Sequence, residues 1–370
     1  MVLGEQRAAM RKILIGFAAA VVILAGAVFA GGQWLQYQVE RDVAAAFAAL
    51  RPALGAAAYG RPQFNPWTRT VRINDVALEG DPNGMPPMKI GGLALTFDLV
   101  RLLRKSAQLG RDSPQPTPDE IAALVNVLEA FEMDDVRVLD RRPGRTAVAM
   151  HLVSMRSAWE RSAGPIPTMT HYGFKGEISV TDDFGEVSTA LRNAGRNSVV
   201  FGFDMTATWS DLTRTSALAA TFEMEGLFSV ALILSIDKVS PDLVMNDFAK
   251  KLAAAAALEI GPIEVSLHDS GGLDVAFAQA AKMQGVDAAA ARRMSVEQIN
   301  RNLGAMPRQG PELRRLAAAL ASFLSGSGGT LKINLTPRGH VNIMQSVELI
   351  KLDPIAALSQ FNVEAAVVGR

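Results

Sequence analysis

The residues that could carry out chemistry in this sequence are few and widely separated. The four histidines are His151, His171, His268 and His340, and no two of them lie within four residues of each other. No HExxH motif or comparable spacing of metal ligands occurs. Because a metal site needs several ligands brought together, this spacing favours histidines that are exposed or hydrogen-bonded within the fold.

Two pairs of adjacent acidic residues are the other candidates for acid–base chemistry: Asp134 with Asp135, and Asp182 with Asp183. A glycosidase needs two carboxylates that face each other across a cleft. Adjacent residues of a strand point to opposite faces, so neither pair provides that arrangement alone. Both pairs are instead typical of strand ends and turns.

A glycine-rich stretch, GSGGT at residues 326–330, superficially resembles a phosphate-binding loop. Such loops lie between a strand and the start of a helix, where free N–H groups meet the anion. Here the pattern predicts a helix before the stretch and a strand after it, so Gly326 is expected to end a helix. The absence of cysteine excludes thiolate nucleophiles, disulfides and cysteine-based metal sites. We predict no catalytic residue, no metal and no cofactor.

An apolar segment at residues 13–32 determines where the chain is located. It contains no charge, amide or proline, and a helix of this length is about 30 Å long, which matches the hydrocarbon thickness of a bilayer. Arg7, Arg11 and Lys12 precede the segment, so the positive-inside rule puts residues 1–12 in the cytoplasm and the rest outside. The predicted anchor side chains are Ile13, Ile15, Phe17, Val22, Leu24, Phe29 and the interfacial Trp34.

A cleaved export signal is the alternative, because the small residues at 25–27 and 30–32 could form a cleavage site. Both interpretations export most of the chain. Abundant alanine and an excess of arginine over lysine are typical of GC-rich bacteria, which predicts the bacterial inner membrane, with the bulk of the chain in the periplasm. The expected organisation is a cytoplasmic segment 1–12, a membrane helix 13–32, a helical stalk 33–58 and a periplasmic domain 59–370.

Composition limits the classes of function. Basic and acidic residues number 37 each, which gives no support for nucleic-acid binding. Hydrophobic residues make up 49% of the chain and charged residues 20%. The exported part is therefore expected to fold around a core rather than remain disordered.

The pattern along the chain predicts an α+β fold: an N-terminal transmembrane helix, then a largely antiparallel, elongated and curved β-sheet with several packing helices. Residues 63–64 and 70–78 are expected to form a hairpin, with a β-bulge at Asn74 and Asp75, where the apolar phase shifts by one residue. Helices are expected over residues 117–131 and 240–257. Residues 331–335 and 340–349 are expected to form a final hairpin, and residues 361–368 a last strand.

A weak internal repeat relates INDVAL at residues 73–78 to MDDVRV at residues 133–138, with generic strand ends as the alternative explanation.

The stretch YGRPQFNPWTRTVRINDVALEG at residues 59–80, which follows a single membrane helix, resembles the opening of AsmA-like and YdgA-like envelope proteins. The resemblance implies an elongated, curved sheet of periplasmic repeats and a role in lipid transport or envelope homeostasis. It implies no catalytic residue. The chain is shorter than most AsmA-like proteins and richer in helix toward its end.

Lipid binding and protein binding are the two main hypotheses for function. A sheet that stays open exposes an apolar face that can hold acyl chains, and the alternating strands predict Phe201, Phe203, Trp209 and Phe222 as lining residues. The partners would be the bilayer, through residues 13–32, and a phospholipid. The alternative is a scaffold that binds another envelope protein through a sheet edge or the helices in 273–324, and a third class is a periplasmic hydrolase. The alternative to lipid binding for these apolar side chains is that they form a core closed by the helices.

Overall fold

The structure is a computed structural model, and it describes residues 40, 43–44, 47–48, 55–65, 68–80, 86–97, 128–139, 146–158, 166–179, 186–244, 247–301, 311–326 and 329–369. The predicted membrane segment 13–32 and Trp34 lie outside these residues. Across the ranges just given, no helix is both long enough and apolar enough to cross a membrane. The chain divides into two compact units, and each is described separately below. Unit 1 comprises Met1–Ala158 and Thr170–Glu177, and unit 2 comprises Trp159–Met169 and Ile178–Arg370.

Unit 1 is built on an antiparallel sheet. Its strands are β1 (Ala57–Ala58), β2 (Gln63–Asn65), β3 (Thr70–Leu78), β4 (Met88–Phe97), β5 (Leu128–Leu139), β6 (Thr146–Ala158) and the Thr170–Glu177 part of β7 (Met169–Ser179). The order is β1-β3-β4-β5-β6-β7, and β2 pairs with β3. The predicted hairpin between residues 63–64 and 70–78 is confirmed.

The helical residues before this sheet pack against it. Val43 is fully buried, and the ring of Phe47 stacks on Tyr59 with 4.4 Å between the ring centroids. Glu40 forms an ion pair of 2.6 Å with Arg61. The described residues of the predicted stalk therefore pack against the rest of unit 1.

The predicted phase shift in β3 is present, but its cause is different from the one expected. Buried side chains lie at positions 71 and 73 before the shift and at 76 and 78 after it. Asp75 has a left-handed backbone with φ 55°, and Asp135 in β5 has φ 50°. The pairing with β4 continues in the same register on both sides of these residues, so no residue is inserted and the predicted β-bulge is wrong.

Gly91 in β4 lies between these two aspartates. A Cβ atom at Gly91 would lie 3.1 Å from the Cβ of Asp135, which is tighter than ordinary side-chain packing. The phase of burial also changes in β4 near Gly91, from Ile90 to Leu93. The two copies of the internal repeat thus occupy equivalent positions on either side of one glycine, and the acidic pair at Asp134 lies within a strand rather than at its end.

Unit 2 contains a meander of six antiparallel strands. They are β8 (Ser198–Ser210), β9 (Thr215–Met224), β10 (Phe228–Asp237), β11 (Glu259–Asp269), β12 (Gly329–Pro337) and β13 (Phe361–Val368), and each pairs with the next. Together with the helices, the antiparallel sheets of the two units confirm the predicted α+β class.

One helix of unit 2 precedes its six strands in the sequence, and the others lie in the connections between strands. They are α1 (Glu186–Asn193), α2 (Phe248–Ala257), α3 (Gly272–Gln284), α4 (Ala288–Ile299), α5 (Pro311–Ser325), α6 (Ile343–Leu352) and α7 (Pro354–Leu358), with a 3-10 turn at Pro241–Val244. Aspartate or asparagine side chains cap three of them. Asp247, Asp287 and Asn342 accept hydrogen bonds from N–H groups of the first turns of α2, α4 and α6.

Two predicted elements are wrong where the structure describes them. The last four residues of the expected helix 117–131 belong to β5, because Phe131 pairs with Leu95 and Met155 on the neighbouring strands. Residues 117–127 lie outside the described residues. The expected strand 340–349 is mostly α6, which Asn342 caps, and β12 pairs instead with β13. In both places short apolar runs fit two periodicities, and tertiary pairing or a cap decides between them.

A hydrogen-bonded carboxylate connects three elements of unit 2. Glu259, at the start of β11, lies 2.5 Å from the Nζ of Lys238 and 2.9 Å from the Nδ1 of His340. The hydrogen bond from Lys238, followed by that of His340, holds the pKa of the Glu259 carboxyl below its ordinary value of 4.5. The ionised form of Glu259 therefore stabilises the folded state.

A first prediction concerns the left-handed position in β3. Asp75→Val should lower the free energy of unfolding by about 1–3 kcal/mol, because a β-branched residue tolerates positive φ poorly. Asp75→Gly should stay within about 1 kcal/mol of the wild type, since glycine reaches this backbone conformation without strain. Chemical denaturation of the full chain, followed by circular dichroism, measures both. Equal losses in the two variants would contradict the backbone explanation.

A second prediction concerns pH. Because folding lowers the pKa of Glu259, its contribution to stability is complete above pH 4.5 and is lost as the pH falls through the lowered folded value. Glu259→Gln should therefore be less stable than the wild type at pH 7, and the difference should shrink as the pH falls below 4.5.

The matched control for this pH prediction is Glu264→Gln, at a carboxylate of the same strand that forms no salt bridge within the described residues. Thermal unfolding across pH 3–7 is the measurement, with the pH limits chosen about the ordinary carboxyl value. A difference between Glu259→Gln and the wild type that stays constant with pH would contradict the assignment.

Candidate functional site

The register of unit 2 gives its sheet one apolar face, which we call the apolar face. Residues that lie directly opposite each other on neighbouring strands point to the same side, so each set of register partners forms a row across the sheet. One row is Phe203, Phe222, Val230, Leu267, Leu331 and Val367; the next is Met205, Ala220, Leu232, Val265, Ile333 and Ala365; a third is Ala207, Leu218, Leu234, Ile263, Leu335 and Val363. The alternate residues form rows that are mostly polar, such as Asp204, Thr221, Ala231, Ser266, Lys332 and Ala366.

Helix α5 covers one part of the apolar face. Its residues Leu313 and Leu316 are buried in a cluster with Phe361 and Val363 of β13. Farther along the helix, Phe323 is buried with Leu331 of β12. This packing buries Leu331, Phe361 and Val363, whereas Ile333, Leu335 and Val367 stay half-buried.

The part of the apolar face on β8, β9 and β10 is less covered. The side chains of Phe203, Met205, Phe222, Leu218 and Leu232 are half-buried. Helices cover these three strands at one end. There Val199 is buried in a cluster with Leu191 of α1, and Met224 and Phe228 pack against this cluster. The middle of β8–β10 therefore presents apolar surface that is partly open.

An apolar cavity of about 390 Å³ lies at that same end of the strands. Three helices and two strands line it, with Leu191 from α1, Leu273 and Val275 from α3, Phe323 from α5, and Phe228 and Leu267 from the sheet. This volume falls in the range of about 300–1,000 Å³ that small-molecule sites occupy. Phe228 and Leu267 also belong to the apolar face, so the cavity is next to the half-buried region.

The one carboxylate in the cavity lining serves the fold. Asp269 is buried, and its Oδ1 accepts hydrogen bonds from the backbone N–H groups of Gly271 and Leu273, at 3.2 and 3.0 Å. These bonds satisfy donors at the start of α3. The rest of the lining is apolar apart from backbone groups, which suits a hydrocarbon ligand.

All four predicted lining residues belong to the apolar face. Phe203 and Phe222 lie directly opposite each other and are half-buried, and the ring centroid of Phe222 is 5.9 Å from that of Phe228 in the cavity wall. Phe201, 7% exposed, and Trp209, 6% exposed, lie near the two ends of β8 and are buried. The structure thus brings Phe222 and Phe203 together near the cavity and leaves Trp209 at the far end.

Sequence analysis missed the contributions of β10 and of the helices to this site. In β10 both strand faces carry aliphatic residues, since Ala231 and Ile233 alternate with Val230 and Leu232, so alternation gave no signal there. Helix α1 was not predicted, and its Leu191 closes the cavity. The anchor residues named from the sequence lie outside the described residues.

Several of the titratable candidates take part in local pairs. Asp135 accepts two hydrogen bonds of 2.9 Å from Arg137, and Asp134 lies 3.6 Å from Arg72. The Nδ1 of His268 lies 3.1 Å from the hydroxyl of Thr330 on the next strand. Asp182 and Asp183 lie outside the described residues. Within the part of the chain that the structure describes, no three acidic or histidine side chains converge as metal ligands.

Gly326 ends a helix, as predicted. Its N–H donates to the carbonyl groups of Ser322 and Phe323, each at 3.2 Å, and β12 begins at Gly329. The order of helix, glycine-rich stretch and strand is the reverse of that in a phosphate-binding loop.

Comparison with known proteins gives one partial match. The model of a protein family described as "Uncharacterized protein" matches residues 221–367, which run from β9 to β13 and include helices α2–α7. No curated protein matches the chain.

A third prediction tests how far the apolar face is covered. Phe361→Ala should lower the free energy of unfolding by about 3–5 kcal/mol, as expected for a buried aromatic side chain. Phe222→Ala should cost clearly less, because its ring is half-buried and part of its surface already contacts water. Denaturation of the two variants of the full chain measures the difference. Equal losses would mean that the face on β9 is as well covered as that on β13.

Proposed function

We propose that this protein is a membrane-anchored periplasmic protein that binds lipid acyl chains on the apolar face of β8–β10. One observation carries the proposal: half-buried apolar rows continue into an apolar cavity of about 390 Å³. Large contiguous apolar surfaces on soluble domains usually mark binding sites. The anchor at residues 13–32, expected from the sequence, would hold this surface close to a source of lipid.

The dimensions of the site suit an acyl chain. From Phe228 to Leu234 the strand advances six residues, or about 20 Å at about 3.3 Å per residue. One leaflet of a bilayer has about 15 Å of hydrocarbon, half of the total thickness. Each methylene group moved from water to such a surface contributes about 0.8 kcal/mol before the costs of association. An acyl chain that spans one leaflet therefore fits along the strand, and apolar contact alone is enough to hold it.

The absence of charged residues from the three apolar rows supports a hydrocarbon ligand rather than a polar one. The resemblance of residues 59–80 to AsmA-like and YdgA-like envelope proteins agrees with this assignment. We therefore infer a role in lipid transport or envelope homeostasis, without a catalytic step.

A protein-binding role is the second candidate, and helix α6 favours it. Met344, Val347 and Ile350 recur at three-residue steps on this helix and are 45–55% exposed. A stripe of this kind can dock on another protein of the envelope. In that case the half-buried rows of β8–β10 would take up no lipid.

The fourth prediction separates these functions by photo-crosslinking. Cells that express the full chain are fed a palmitic acid that carries a diazirine in its acyl chain, then irradiated, and labelled peptides are mapped by mass spectrometry. Lipid binding predicts label on β8–β10 and α3 in addition to residues 13–32. Ala276→Phe fills the cavity from an exposed position in its wall and should reduce the label in unit 2 severalfold.

Ala278→Phe is the matched control, because Ala278 is exposed on the same helix but does not line the cavity. This variant should be labelled like the wild type, and the label on residues 13–32 serves as an internal standard in every sample. Wild-type chain labelled in residues 13–32 alone would overturn the lipid-binding proposal and favour the scaffold.

A further inference from the structure

Trp209 has a buried hydrogen-bond donor without an acceptor. Its side chain is 6% exposed, and its indole Nε1 is fully buried with no hydrogen-bond partner. The backbone N–H of the same residue donates to the carbonyl of Thr168 at 2.9 Å, so the main chain is satisfied. Buried indole N–H groups usually find an acceptor, because an unpaired donor carries a desolvation penalty.

No side chain of the same row accepts a hydrogen bond from this donor. Trp209 lies opposite Ser216, which lies opposite Ile236. The hydroxyl of Ser216 donates to the carbonyl of Thr208 at 3.0 Å, and its oxygen does not accept from the indole. The unpaired N–H therefore belongs to a row that offers hydrocarbon and a single hydroxyl group.

The position of Trp209 relates it to the apolar rows. It follows Ala207 on the same face of β8, at the end opposite to the cavity beside Phe228. From Phe228 to Ile236 the strand covers eight residues, or about 26 Å. One donor at one end of a hydrocarbon surface matches a molecule with an acceptor at one end and a long apolar chain.

Charged side chains of both signs lie near the same end of the strands. Arg214, in the turn between β8 and β9, and Lys250 of α2 line a second cavity of about 680 Å³, together with Lys238, Asp237 and Asp242. Neither Arg214 nor Lys250 forms an ion pair within the described residues. These polar groups favour the polar end of a ligand here rather than at the apolar cavity beside Phe228.

We infer that the indole N–H of Trp209 donates a hydrogen bond to the acyl carbonyl group of the bound lipid, whose chain runs along β10 toward the cavity beside Phe228. The inference rests on the proposed lipid-binding function and names its ligand class: a long-chain acyl compound with a carboxylate or ester oxygen. The N–H is enclosed in this structure, so the acceptor must displace the side chains that cover it.

The fifth prediction tests the donor with Trp209→Phe, which keeps an aromatic ring and removes the N–H. Three diazirine probes of equal chain length are used on the full chain in membranes: palmitic acid, its methyl ester and the corresponding alkane. Label in unit 2 is normalised to label in residues 13–32. For the acid, Trp209→Phe should reduce the normalised label about tenfold, the effect of one hydrogen bond to a charged acceptor. For the alkane, the label should not change.

Thr208→Val is the matched control, because it removes a donor from the opposite face of the same strand. It should leave the labelling by all three probes unchanged. Because Trp209 is buried, Trp209→Phe also loses packing volume, so a lower unfolding temperature without lipid is compatible with either role of the indole. Labelling separates the two roles: a packing role alone would reduce labelling by acid and alkane alike, and this result would overturn the inference.

The possible outcomes separate this inference from the proposal on which it rests. If wild-type unit 2 takes no label from any probe, lipid binding itself is wrong. If unit 2 is labelled and Trp209→Phe does not change labelling by the acid, only the role of the indole is wrong. A loss with the acid alone assigns a carboxylate, and a loss with both acid and ester assigns the carbonyl oxygen that they share; each supports the inference.

Discussion

The pairing register of the six strands in unit 2 is the constraint on which the rest of this protein depends. Because side chains alternate along every strand, the register brings most of the apolar positions to one face, with an irregularity between Leu234 and Ile236 in the pairing of β10 with β11. A slip of one residue between two strands would turn the apolar side chains of one strand to the face opposite to those of its neighbour. The helices must then cover an apolar surface, and their arrangement follows from it. Helix α5 buries the part on β12 and β13, where Phe361 and Leu331 meet its side chains.

Incomplete coverage of the same face gives the protein its candidate site. The helices reach β8–β10 at one end, around Met224 and Phe228, and leave a cavity between themselves and the sheet. Apolar residues such as Phe203 and Leu232 stay half-buried, although burial would stabilise the fold further. This surface is the one on which we propose that lipid binds. The unpaired N–H of Trp209 lies at the far end of the same rows.

In unit 1, the alternation of buried and exposed side chains changes phase within two strands. Asp75 and Asp135 adopt left-handed backbone on either side of Gly91, and the buried phase changes in β3 and β4 without an inserted residue. Aspartate tolerates this conformation better than most residues, and its carboxylate can be satisfied at the surface, as Arg137 does for Asp135. The internal repeat in the sequence thus marks a shared backbone feature.

The sequence by itself determined the class of the fold, most strands, and the shared face of Phe201, Phe203 and Trp209, because alternation is a local property of the chain. It also placed the helix end at Gly326 and the phase shift near Asp75. It could not determine whether residues 128–131 and 343–349 are helix or strand, because short apolar runs satisfy both periods until a neighbouring strand or a cap selects one. Only the tertiary structure decided which part of the apolar face is covered, since burial depends on helices far away in the chain. For the same reason, only the tertiary structure could show that the N–H of Trp209 has no acceptor.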